Sequence, residues 1–141
     1  MPRASASREL LASREDVWNF VIDPGHFGDW WPGIGAVEPD RRGLAPGARW
    51  TVRAEERPRL IRSSGYSGVL VIREVRPFER LGWTLTGDRW DVELQLETVA
   101  PERTGVTLEV TAGWLVPLPR SLARRALARL YNLCQTAAAL E

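Results

Sequence analysis

The chain contains no lysine: all 19 of its basic residues are arginine. That absence excludes imine chemistry on a side-chain amine, and the phosphate-binding loop that ends in Gly-Lys-Ser/Thr. There is one histidine, His26, and one cysteine, Cys134. The pair is too small for the usual His/Cys zinc shells, and a lone cysteine cannot form an internal disulfide. No Gly-x-Ser-x-Gly elbow is present, so a serine triad would have only His26 to build on. No apolar run reaches the roughly 20 residues that span a bilayer. The opening "MPRASASRELL" lacks the apolar stretch of a secretory signal. A net charge of +1 gives no global field to attract nucleic acid or an acidic membrane. These absences set the expectations: a cytoplasmic protein, no cofactor, no metal, no nucleic-acid partner and no stable membrane insertion.

What is present fits one folded unit. A chain of 141 residues, 44% hydrophobic and 26% charged, is expected to form a single domain over residues 1–141 with one core. "SASRELL" (residues 5–11) reads as a first strand. In "ASREDVWNFVID", Ser13 stands three residues before Asp16, close to a capping box, and Val17, Trp18, Val21 and Ile22 follow at helical spacing. Pro24 and Gly25 end that helix, and "GHFGDWW" leaves room for one more short helix before Pro32-Gly33.

From about Ile34 the period changes to two. "ARWTVRAE" puts Trp50, Val52 and Ala54 on one face, and "RLGWTLT" does the same with Leu81, Trp83 and Leu85. "WDVELQLE" alternates Trp90, Val92, Leu94 and Leu96 with polar residues, and "GVTLEVTAGW" aligns Val106, Leu108, Val110, Ala112 and Trp114. These are antiparallel strands with a dry and a wet face. "GYSGVLVIREV" has Val69, Leu70, Val71 and Ile72 in a row, which predicts a strand covered on both faces. Short turn-forming connections imply consecutive hairpins. The stretch "EERPRLIRSSG" has no clear pattern. The end of the chain, "RSLARRALARLYNLCQTAAALE", predicts a long helix with Leu122, Ala123, Ala126, Leu127, Leu130, Leu133, Cys134 and Ala137 on one stripe.

The order of these pieces carries a resemblance: "ASREDVWNFVID", then "WWP", "PGARW", "IREVRPFERLGW", "TGVTLEVTAGW" and the final helix. Together they resemble the START-like superfamily, also called Bet v 1-like or SRPBCC, and look closest to its polyketide cyclase/dehydrase-like branch. The resemblance implies an α+β helix-grip fold, with a curved antiparallel sheet wrapped around a long C-terminal helix and two short helices after strand 1. It also implies a cavity between sheet and helix, open near the short helices and hairpin tips. The superfamily spans cyclases, lipid and quinone carriers, and co-chaperone domains, so the fold alone leaves the function open.

Within that frame the segment "DPGHFGDWWPG" is the expected cavity entrance. Trp30 is expected to anchor it to the sheet, and Trp31 is the candidate for the cavity mouth. Trp50, Tyr66, Trp83, Trp90, Leu94, Leu108 and Trp114 are the candidate ligand-binding residues from the strands. Ala126, Leu130, Tyr131 and Cys134 are those from the last helix. Apolar, tryptophan-rich walls suit a hydrophobic, partly planar ligand. His26 is the one group with an ordinary pKa near neutrality, and the Tyr66 hydroxyl can donate to a carbonyl; both are candidate catalytic residues for a cyclisation or dehydration. Arg120, Arg124, Arg125 and Arg129 read as a solvated face, since a membrane or RNA contact calls for flanking aromatics or more charge. The leading expectation is a protein, monomer or homodimer, that binds a polyketide- or lipid-like molecule, with cyclisation or dehydration of that molecule as the candidate reaction. The alternatives are a non-enzymatic lipid or quinone carrier, and a co-chaperone or ribosome-associated protein-interaction module.

Overall fold

Alternation along the strands decides which face of the sheet is dry, and the computed structural model follows it through most of β5, β6 and β7. The structure describes residues 2–54 and 67–139. The strands are β1 (Arg3–Leu10), β2 (Ile34–Glu38), β3 (Arg49–Ala54), β4 (Ser67–Arg76), β5 (Arg80–Leu85), β6 (Trp90–Ala100) and β7 (Arg103–Ala112). The helices are α1 (Arg14–Val21), α2 (Phe27–Trp30) and α3 (Leu122–Ala139). A turn of 3₁₀ helix, Pro24–His26, leads into α2.

The strands form one antiparallel sheet in the order β1-β7-β6-β5-β4-β3-β2. β2 to β7 run as a meander of neighbours, and β1 returns to pair with β7 from Arg3↔Thr111 to Leu10↔Thr104. Register shifts at Ile34/Ala36, Ile72/Glu74 and Thr98/Ala100 bend the sheet, as bulges do. At the second of these, Arg73 sits beside the shift and donates to the carbonyls of Trp83 and Val92 at 3.3 and 3.1 Å. The concave face carries Trp50, Val52, Leu70, Ile72, Leu81, Trp83, Leu85, Val92, Leu94, Val106, Leu108 and Val110, all buried. The opposite face is polar, with ion pairs such as Arg80–Glu93 and Arg53–Glu38, each at 3.0 Å. In β4 the second face is partly covered, with Val69 and Val71 half-buried.

α3 lays Leu122, Ala123, Ala126, Leu127 and Leu130 against the concave face, each at most 2% exposed. The alanines allow the helix to lie close to β1 and β7, its nearest strands. This is the α+β helix-grip arrangement. Ser13 caps α1 as its sequence indicates, accepting from the Asp16 N–H at 3.1 Å. Between β2 and β3, the Asp40 carboxylate accepts from the backbone N–H groups of Arg49 and Arg42, both at 2.9 Å. Those bonds, that of Arg49 first, hold its pKa below the ordinary value. The Trp50 indole N–H donates to the Gly43 carbonyl at 2.7 Å and ties the same loop to the sheet. The patternless stretch at residues 55–65 and the candidate Tyr66 lie outside the described residues.

Candidate ligand site

The short-helix segment folds inward because each of its turns is fixed locally. Asp23 accepts from the Gly25 N–H at 2.8 Å and starts the 3₁₀ turn. Gly28 then lets α2 lie directly on β2: a Cβ there would run into the Gly35 carbonyl oxygen. Phe27 and Trp30 point from α2 toward the sheet. Trp31 follows in extended conformation, φ −87° and ψ 121°, so the chain changes direction between the two tryptophans. Both side chains therefore reach the interior.

They meet Trp83, which rises from the middle of β5. The ring centroids of Phe27, Trp30 and Trp31 lie 5.6, 6.3 and 5.7 Å from that of Trp83, all near edge-to-face. Trp30 and Trp31 contact each other at 5.6 Å and 86°. None of the four rings is more than 1% exposed. The expectation that Trp31 stands at an open cavity mouth is thereby corrected: it is part of a packed cluster of four aromatic rings.

Two polar atoms in this cluster stand out. The indole N–H groups of Trp30 and Trp83 are buried and have no acceptor among the described residues. A buried donor left without a partner costs about 1–3 kcal/mol, so native interiors rarely keep one. The two N–H groups belong to neighbouring rings, whose centroids lie 6.3 Å apart. Otherwise the described interior is apolar: its one buried polar side chain, Thr104, donates to the Ala12 carbonyl at 2.8 Å. Three hollows lined by described residues, of about 660, 340 and 330 Å³, do not touch the aromatic cluster.

The remaining candidates divide into groups. Trp50, Leu94, Leu108, Ala126 and Leu130 are buried in the core that adjoins the cluster. Trp90 is half-buried, and its indole N–H is already engaged by the Pro117 carbonyl at 3.0 Å. The position of Trp114 is a second correction. β7 ends at Ala112, Gly113 breaks the alternation, and Trp114 is 77% exposed. Tyr131 is half-buried, with the Arg8 guanidinium 4.1 Å from its ring centroid. Cys134 is half-buried, and burial, with the Asp16 charge, pushes its thiol pKa up, which disfavours a nucleophilic thiolate.

His26 lies on the outside of the segment. Its ring stacks on Phe20 at 4.4 Å, Nδ1 is 3.1 Å from Asp29 Oδ2, and Nε2 is 3.7 Å from Asp23 Oδ2. The side chain is 46% exposed. Sequence reasoning missed Phe27 as a member of the cluster, although its place three residues before Trp30 on a helix puts both on one face.

The geometry defines a class first: a helix-grip protein whose aromatic interior holds two indole N–H groups with no acceptor among the described residues. The comparisons with known proteins then specify it. Residues 1–137 match the family described as polyketide cyclase / dehydrase and lipid transport, and the chain belongs to that family. Membership gives it a hydrophobic ligand-binding role. No curated protein matches the chain in sequence. Among solved structures it is similar to the protein XoxI from Bacillus cereus, with 14% identity, 98% of this chain and 99% of that one covered, and a TM-score of 0.70. It is similar to a protein from Chromobacterium violaceum at 18% identity, with 96% and 99% covered and a TM-score of 0.69. It is also similar to the Aha1 dimer from Colwellia psychrerythraea at 15% identity, with 96% of each chain covered and a TM-score of 0.66. At these identities the likeness establishes the fold. No helix among the described residues is long and apolar enough to cross a membrane.

Proposed function

We propose that the protein binds a planar, hydrophobic small molecule bearing a carbonyl or similar oxygen acceptor, between the sheet and α3, beside the Phe27–Trp30–Trp31–Trp83 cluster. The observation that carries this reading is the pair of buried indole N–H groups on Trp30 and Trp83 that have no acceptor among the described residues. Aromatic walls favour stacked or edge-on rings, and a donor in an apolar site selects the ligand atom that completes it. A polyketide-like ketone or a quinone has both features, in keeping with the family. Binding rather than turnover is the function assigned. His26 stands outside the cluster, held between two carboxylates, and the interior side chains described include no base beside it.

The test uses the full chain and two probes of equal shape, anthraquinone and anthracene, followed by quenching of tryptophan emission. Anthraquinone should bind about three- to tenfold more tightly, the worth of one or two hydrogen bonds. Trp83→Phe, which keeps a ring and removes one of the two N–H groups, should reduce that preference. His26→Ala should leave binding unchanged. Absence of quenching by either probe, together with a clean unliganded mass for the freshly purified protein, would sink the proposal.

A further inference from the structure

Trp114 leaves the core and arrives at a particular place on the surface. It lies in the connection between β7 and α3, where Trp114 is 77% and Leu115 fully exposed. Leu115 also has φ +67°, a left-handed conformation that a branched aliphatic side chain rarely adopts. The surrounding chain imposes it: the Val116 N–H donates to the Gly113 carbonyl at 3.2 Å, and the Pro117 carbonyl is clamped by the Trp90 indole at 3.0 Å. The fold thus presents two large apolar side chains to water on a braced turn, where neither contributes to the core.

Along the chain, the charge that follows this turn is one-sided. From Val110 to Ala139 the sequence contains no acidic residue and four arginines, Arg120, Arg124, Arg125 and Arg129, all exposed. None of them belongs to an ion pair among the described residues. Arg124 and Arg125 occupy the first turn of α3, where the helix dipole disfavours cations, so helix stability does not account for them. The adjoining β5–β6 turn adds Asp88 and Arg89, which cancel in formal charge. Trp114 is exposed and precedes this arginine run in the chain, the flanking aromatic that an interfacial basic segment needs.

We propose that the Trp114–Leu115 turn, with Arg120, Arg124 and Arg125, docks the protein reversibly on the surface of an anionic lipid bilayer. Tryptophan settles at the headgroup level, where its ring is apolar and its N–H stays hydrated. Leu115 enters the acyl boundary, and the guanidinium groups pair with lipid phosphates. Neither element is sufficient alone, because a few arginines and two apolar side chains each bind membranes weakly; together they supply the two signals that peripheral attachment requires. The proposal does not depend on the ligand reading.

The experiment is flotation of the full chain with vesicles of phosphatidylcholine alone, or with about one third phosphatidylglycerol, at about 0.1 M and about 0.5 M salt. The protein should float with the anionic vesicles at low salt, and binding should fall at high salt and be absent on phosphatidylcholine. Trp114→Ala and the double reversal Arg124→Glu/Arg125→Glu should each weaken it about tenfold or more. Leu115→Gly separates docking from folding: glycine suits the left-handed turn, so this variant should melt no lower than the parent while binding vesicles less tightly. Three results would overturn the proposal. One is no flotation at low salt. Another is flotation unchanged by Trp114→Ala and Leu115→Gly. The third is a concentration-dependent dimer that Trp114→Ala dissociates, without vesicle binding, which would assign the turn to a second copy of the chain.

Discussion

Thr104 shows how much one side chain can decide. Its hydroxyl, in β7, donates to the carbonyl of Ala12 in the link between β1 and α1, and the residue is fully buried. Thr104→Val keeps the shape and leaves that carbonyl without its donor. The expected loss is about 1–3 kcal/mol of unfolding free energy, read by urea denaturation. Asp88 makes the opposite contribution. Partial burial raises its carboxyl pKa above the ordinary 3.8, so the folded chain holds this proton to higher pH than the unfolded chain. Its contribution is full below the ordinary carboxylate range and is lost as pH rises through the raised value. Asp88→Asn should therefore raise the melting temperature at neutral pH and change it little near pH 3, where both side chains are neutral. Local chemistry of the Ser13 kind is readable from sequence, because donor and acceptor lie within one turn. The directions of Trp30 and Trp31 are not, because they depend on a dihedral change between neighbours. The bond from Trp90 to Pro117 spans 27 residues and has no sequence signal.

At the scale of elements, the seating of α2 on β2 controls the aromatic cluster. Gly28→Ala places a methyl group against the Gly35 backbone, and neither carbonyl nor strand can move aside without disturbing Ile34 and Trp31. The helix should lift, with a loss of about 1–3 kcal/mol for overpacking. The change should appear as altered near-ultraviolet circular dichroism of the tryptophans before global unfolding. Strand assignments were legible because period-two alternation persists over six or more residues in β5, β6 and β7. The stripe of α3 was legible for the matching reason at period 3.6. The end of β7 was not: Trp114 continues the alternation on paper, and only the break at Gly113 followed by the left-handed Leu115 carries it outward.

Across the whole molecule, the helix-grip fold was readable from the order of its pieces, since an antiparallel sheet with one dry face leaves few ways to cover it. The interior was less readable. Its cluster joins residues 27–31 of one segment to Trp83 of another, and whether an indole N–H finds an acceptor is a property of the assembled core. The sheet itself has a further consequence. β1 is hydrogen-bonded to β7 alone, and pairs such as Ser7 and Thr107 lie 100 residues apart. During synthesis the first strand therefore emerges long before its partner exists. Until β7 has left the ribosome, β1 is an unpaired edge and the concave face lacks the helix that covers it. Assembly must wait for β7 and α3, which favours slow, late, all-or-none closure and exposes the tryptophan-rich face to aggregation in any chain truncated before α3.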